Sequence, residues 1–189
     1  MGKVAFSRKG IVASPLLPAL FVVLAGAFLL CCNRQPGTDA KKEGPGTATG
    51  PSAARTAPSF SLPDTDGNIY SSERLAGKPT VINFFATWCP PCKEEIPGFV
   101  EVYNKHRSEG LELIGISLDT DTRGNMAGFL MSNKIRYRIL FGDLATARAY
   151  GGVSALPTTF FVGKDGEIKN VHVGYMDKDA FDKEVMKLL

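Results

Sequence analysis

Apolar and polar positions change rhythm several times along this chain. From Ile11 to Cys32 there are 22 positions without a charge, and residues 33–56 then lose nearly every large apolar side chain. Beyond Pro58, short apolar runs alternate with stretches of three- and four-residue spacing. TVINFFA, Thr80 to Ala86, is a near-continuous apolar run bounded by Gly-Lys-Pro and by a pair of cysteines, which suits a strand buried on both faces. LELIGISL, Leu111 to Leu118, is a second such run. Between them Ile96, Phe99, Val100 and Tyr103 recur at helical spacing, predicting a helix over Pro90–His106 with a kink at Pro97. Strand, helix and strand make a βαβ unit with a parallel sheet and a right-handed crossover.

Turn residues frame the rest. FSL and NIYS flank PDTDG, a hairpin signal, and TTFFVG and IKNVHV flank KDGE as a second, antiparallel hairpin. NMAGFLMSN and LATARAY predict short helices, with a strand around Ile139 to Phe141 between them, and KDAFDKEVMKLL closes the chain as an amphipathic helix. The sum is one α/β domain over 57–189, a central mixed β-sheet flanked by helices with an added N-terminal hairpin.

The first 56 residues have a different character. Lys3, Arg8 and Lys9 precede the uncharged run, and Pro15 and Pro18 leave 14 clean apolar residues from Ala19, closer to a signal-peptide core than to a full span. Residues 1–32 are expected to enter a membrane, as an uncleaved anchor, as a lipoprotein signal with Cys32 as the lipidated residue, or as a cleaved leader. LLCC matches a lipoprotein signal imperfectly, since Leu30 and Cys31 stand where small residues are usual. Residues 33–56, rich in Gly, Pro, Ala, Ser and Thr, read as a flexible tether.

Charge changes the picture in one respect. Residues 1–56 carry seven Lys/Arg against two acids, whereas residues 57–189 carry 15 against 17. The basic balance belongs to the N-terminal part, so the folded domain lacks the footprint of a nucleic-acid binder.

The chemistry concentrates in TWCPPCKEEIP, Thr87 to Pro97. A zinc site needs four ligands, and the domain offers Cys89, Cys92, His106 and His172. His106, 14 positions after Cys92, falls near the far end of the same helix, roughly 20 Å away at about 1.5 Å per residue. The spacing argues against metal, and both histidines read as surface or strand-filling residues. A purely structural disulfide closes too small a loop to restrict the unfolded chain much. A redox pair has a mechanism: with Pro90 in the first turn, free N–H groups at the helix start favour a Cys89 thiolate, and Cys92 one turn inward resolves the mixed disulfide. Glu95, three residues past Cys92, is a candidate proton handler; the alternative is an acid complementing the helix N-terminus, the reading that suits Glu94.

VINFFATWCPPCKEEIP followed by ALPTTFFV resembles the thioredoxin superfamily, and within it the membrane-tethered TlpA/ResA/CcmG group of extracytoplasmic thiol-disulfide oxidoreductases, over Pro58 to Leu189. The resemblance implies a thioredoxin-like fold, a Cys89–Cys92 redox-active disulfide, a cis Pro157 beside it, and a client groove shaped by Trp88, Leu156 and Pro157. It implies a catalytic role for Glu95. Thioredoxin's buried aspartate six residues before the first cysteine is replaced by Asn83. It further implies a monomer without cofactor on the extracytoplasmic face of a bacterial membrane, taking electrons from an integral-membrane donor and reducing an oxidised client such as apocytochrome c.

Two other functions compete. A peroxiredoxin holds its cysteine in a Thr-x-x-Cys arrangement, and Thr87-Trp88-Cys89 is one residue short. A copper-binding assembly factor of the Sco type uses Cys-x-x-x-Cys and a distant histidine, which Cys-x-x-Cys and His172 match poorly.

Overall fold

A computed structural model describes residues 55–189. The expected membrane-inserting segment 1–32, with Cys31 and Cys32, and residues 33–54 of the expected tether lie outside the described residues. Among those described, no helix is long and apolar enough to cross a membrane.

The strands are β1 (Arg55–Thr56), β2 (Ser61–Pro63), β3 (Ile69–Ser71), β4 (Thr80–Phe85), β5 (Glu112–Ser117), β6 (Arg138–Phe141), β7 (Thr158–Val162) and β8 (Glu167–Val173). The α-helices are α1 (Pro90–His106), α2 (Met126–Ser132), α3 (Leu144–Ala149) and α4 (Lys178–Met186). Six strands form the central sheet in the order β1-β8-β7-β4-β5-β6, and β2 with β3 forms a separate hairpin. Pairing is parallel for β4–β5 and β5–β6 and antiparallel for β4–β7, β7–β8 and β1–β8, giving the expected mixed sheet.

Side chains alternate across β4 and divide the core in two. Val81 and Phe85 join a cluster with Ile96 and Phe99 of α1 and Phe181 of α4. Ile82 and Phe84 face the opposite way, into a cluster with Phe60, Leu62 and Tyr70 of the hairpin region and Tyr150 after α3. The period of two places Asn83 on the α1 side, with Val81 and Phe85. Phe99 and Phe181 stack at 3.7 Å between ring centroids and fix α4 across α1.

The helix expected over Pro90–His106 has those bounds and continues through Pro97. Two expectations need correction. The tether was expected to run to residue 56, but Arg55 and Thr56 pair with Ile168 and Glu167 as β1. Both are exposed on the sheet edge and held by backbone pairing, so no apolar pattern marks them. His106, read as a surface or strand-filling residue, is buried. Its Nδ1 lies 2.7 Å from Glu109 Oε1 and its Nε2 2.7 Å from Asp182 Oδ1, tying the end of α1 to α4.

Candidate active site

The cysteine pair sits where β4 turns into α1. Cys89 has an extended backbone, φ −82° and ψ 114°, and is the N-cap of the helix; Pro90 opens the first turn, where its missing N–H leaves no bond unmade. The Cys92 N–H donates to Cys89 Sγ at 3.4 Å, and the two sulfurs form a disulfide. Cys92 is fully enclosed and Cys89 nearly so, while Trp88 beside them is 59% exposed.

Glu95 lies one turn past Cys92 and is 2% exposed. Its Oε1 accepts from Asn83 Nδ2 at 2.9 Å and its Oε2 from the Met176 N–H at 3.2 Å. Burial pushes its carboxyl up to about 8 from 4.5, against the smaller opposing pull of the Asn83 and Met176 hydrogen bonds. It is neither in the first turn of α1 nor exposed, so the helix-complementing reading does not fit it. Glu94 points to solvent.

The Leu156–Pro157 peptide bond is cis. Pairing of β4 with β7 runs as far as Phe84↔Thr158, which brings Pro157 alongside the end of β4 from which the motif departs. Leu156 packs partly buried against the cluster that contains both cysteines. The structure therefore gathers Cys89, Cys92, Glu95, Leu156 and Pro157 around one end of the sheet.

Two contributors escaped the sequence reading. Asp119, just beyond β5, is fully buried and collects the Thr87 N–H at 2.9 Å, the Thr87 hydroxyl at 2.6 Å and the Ser117 hydroxyl at 2.6 Å, together with the Thr122 hydroxyl. Burial alone raises an acid, yet the hydroxyls of Ser117, Thr122 and Thr87 and the Thr87 N–H outweigh it and hold Asp119 below the usual carboxylate range. This latch fixes the residue two before Cys89. Its only sequence signal is polar parity, Ser117 and Asp119 closing an apolar strand. The second is Asn83, noted as a replaced acid and not as the partner of Glu95.

Comparison with known proteins agrees with this geometry. Residues 53–171 match the AhpC/TSA family. The chain is 31% identical over 124 residues to the thiol-disulfide oxidoreductase ResA of Geobacillus thermodenitrificans, covering 66% of this chain and 71% of that one. A thiol:disulfide interchange protein of the thioredoxin family from Chlorobium tepidum TLS superposes with a TM-score of 0.67 at 34% identity, covering 74% of this chain and 99% of that one. A secreted disulfide oxidoreductase of Mycobacterium tuberculosis, described as homologous to E. coli DsbE, superposes with a TM-score of 0.60 at 26% identity, over 68% and 96%. With its cysteine pair oxidised at the head of α1 and a cis proline across the sheet, the chain belongs to the AhpC/TSA family, as a thioredoxin-like thiol-disulfide oxidoreductase of the ResA type.

Proposed function

We propose that the protein is a reductant of client disulfides outside the cytoplasm, held at a bacterial membrane by residues 1–32, and that apocytochrome c is one such client. The observation that carries the exchange chemistry is the Cys89–Cys92 disulfide at the head of α1, with a backbone N–H aimed at the Cys89 sulfur. In the reduced protein that N–H and the positive helix end favour the Cys89 thiolate. The thiolate attacks one client sulfur; the client S–S bond breaks and its other sulfur leaves as a thiolate. Glu95 as carboxylate takes the proton of the Cys92 thiol, and the Cys92 thiolate attacks Cys89 Sγ, releasing the second client thiolate and closing the disulfide. Both electrons come from the dithiol, and an integral-membrane donor restores it.

Trp88, Leu156 and Pro157 form the client contact, with Trp88 exposed beside Cys89 and Leu156 half-buried against the cluster that holds both cysteines. The secreted relative from Mycobacterium tuberculosis supports the extracytoplasmic placement. Peroxide reduction is disfavoured by the Thr87 hydroxyl, which donates to Asp119 in place of serving the cysteine.

Trapping tests the roles. In the full chain, Cys92→Ser accumulates a mixed disulfide with an oxidised client through Cys89, and Cys89→Ser accumulates none; equal trapping by both removes the assignment. Direction follows from equilibration against glutathione or dithiothreitol buffers, read by Trp88 fluorescence. A potential near thioredoxin's, about −270 mV, or lower supports a reductant, and one near about −120 mV makes the protein an oxidant of folding clients.

A further inference from the structure

The central strand carries a side chain whose purpose the exchange chemistry does not use. Asn83 is completely enclosed, and its Nδ2 donates to both Glu95 Oε1 at 2.9 Å and Thr159 Oγ1 at 3.0 Å. Its Oδ1 has no partner, alone among the buried side-chain polar atoms of the described residues. A buried carbonyl without a donor is costly, so an amide at this position calls for a reason.

The two forms of Glu95 supply one. A carboxylate needs donors at both oxygens, and it has them in Asn83 and the Met176 N–H. A neutral carboxylic acid needs an acceptor for its O–H. Oε2 faces a backbone N–H, which only donates, so the proton belongs on Oε1, opposite Asn83. A carboxamide meets both demands from one position, because a half-turn about its last side-chain bond exchanges Oδ1 and Nδ2 with almost no change of shape. Turned, Oδ1 accepts from the Glu95 hydroxyl and from the Thr159 hydroxyl, whose proton rotates freely. Aspartate here would set two acids 2.9 Å apart, and leucine would pair with neither form.

We infer that Asn83 is a positioning residue for the Glu95 carboxyl, a reversible amide that donates to its ionised form and, turned over, accepts from its neutral form. Glu95 can then hold or release the Cys92 proton inside the core with a partner in either state, and the orphaned atom changes from Oδ1 to Nδ2. The inference rests on the proton-handling role proposed for Glu95. The carboxyl is held by Asn83 of β4 and by the Met176 N–H before α4; Thr159 of β7 bonds to the same Asn83 amide, and Cys92 lies one turn earlier on α1. Tyr137 is the other titratable group sensitive to it, its phenol pushed up by burial first and by the Glu95 charge second. Among the described residues, no ion pair involves Glu95.

The test is a pH titration of the oxidised full chain by nuclear magnetic resonance, with 13C at glutamate carboxyls and 15N at asparagine side chains. The Glu95 carboxyl and the Asn83 Nδ2 protons are expected to change with one midpoint, near about 8. An Asn83 amide with no inflection where Glu95 titrates overturns the inference. In a folded Asn83→Leu variant the Glu95 midpoint moves up by about one pH unit, since the charge-assisted bond lost by the carboxylate is the stronger of the two. An unmoved midpoint also overturns it. Both readouts use the resting protein without client, so they fail independently of the trapping result.

Discussion

Two carboxyls are buried on either side of the cysteine motif, and they end at opposite extremes. Glu95 looks down from α1 on two donors, and burial lifts it to about 8. Asp119 sits beyond β5 among three hydroxyls and a backbone N–H, and these outweigh its own burial and drive it below its ordinary range. Burial and the donors an acid can gather set its charge together, and here the donors decide which way the balance falls. A donor-poor acid is able to move a proton near neutral pH, and a donor-rich one is a permanent anion that clamps what it touches. Here the first lies one turn past Cys92, and the second grips Thr87, two residues before Cys89.

The larger consequence belongs to Glu95. In the unfolded chain it titrates near 4.5 and in the native state near about 8, so between those values the native protein holds the extra proton. Stability is complete below the lower value and declines as pH rises toward the upper one. The stability of the native protein relative to Glu95→Gln is therefore expected to fall by roughly 4 kcal/mol between about pH 4 and about pH 9, measured by urea unfolding of the oxidised full chain. A difference that stays flat across that interval makes Glu95 an ordinary surface-like acid and dissolves the contrast.

How much of this was legible beforehand depends on which force set each feature. The strands β4 and β5 and the helix α1 were readable because apolar side chains lie at the periods of sheet and helix, and β7, β8 and α4 because turn residues bound them. The cysteine pair announced itself by spacing and by Pro90. The latch did not, because Thr87, Ser117, Asp119 and Thr122 meet only when β4 and β5 pair in parallel, Phe85 opposite Ser117. Asn83 and Glu95 are a middle case: strand parity puts Asn83 under α1 and helical spacing puts Glu95 on the face of Cys92, but the crossing of strand and helix decides that they touch. His106 was misread for the same reason, since its partner Asp182 is 76 positions away.

Asp119 supplies the smaller and more local effect. Asp119→Ala removes the shared acceptor of Thr87, Ser117 and Thr122 and leaves their donors facing each other in the core, a loss of about 3 kcal/mol. The pH response separates this loss from that of Glu95. Because the native carboxyl is held below its ordinary 3.8, its contribution is present in full above that value and fades only as pH falls through the native one. Native protein and variant should therefore differ by a constant amount from about pH 5 to about pH 9, the window in which Glu95→Gln diverges. Unfolding measured in both variants over one pH series decides whether the two acids are opposites: a pH-dependent Asp119 difference in that window means that its hydroxyl partners do not hold it ionised, and that Thr87 is kept in place by backbone pairing alone.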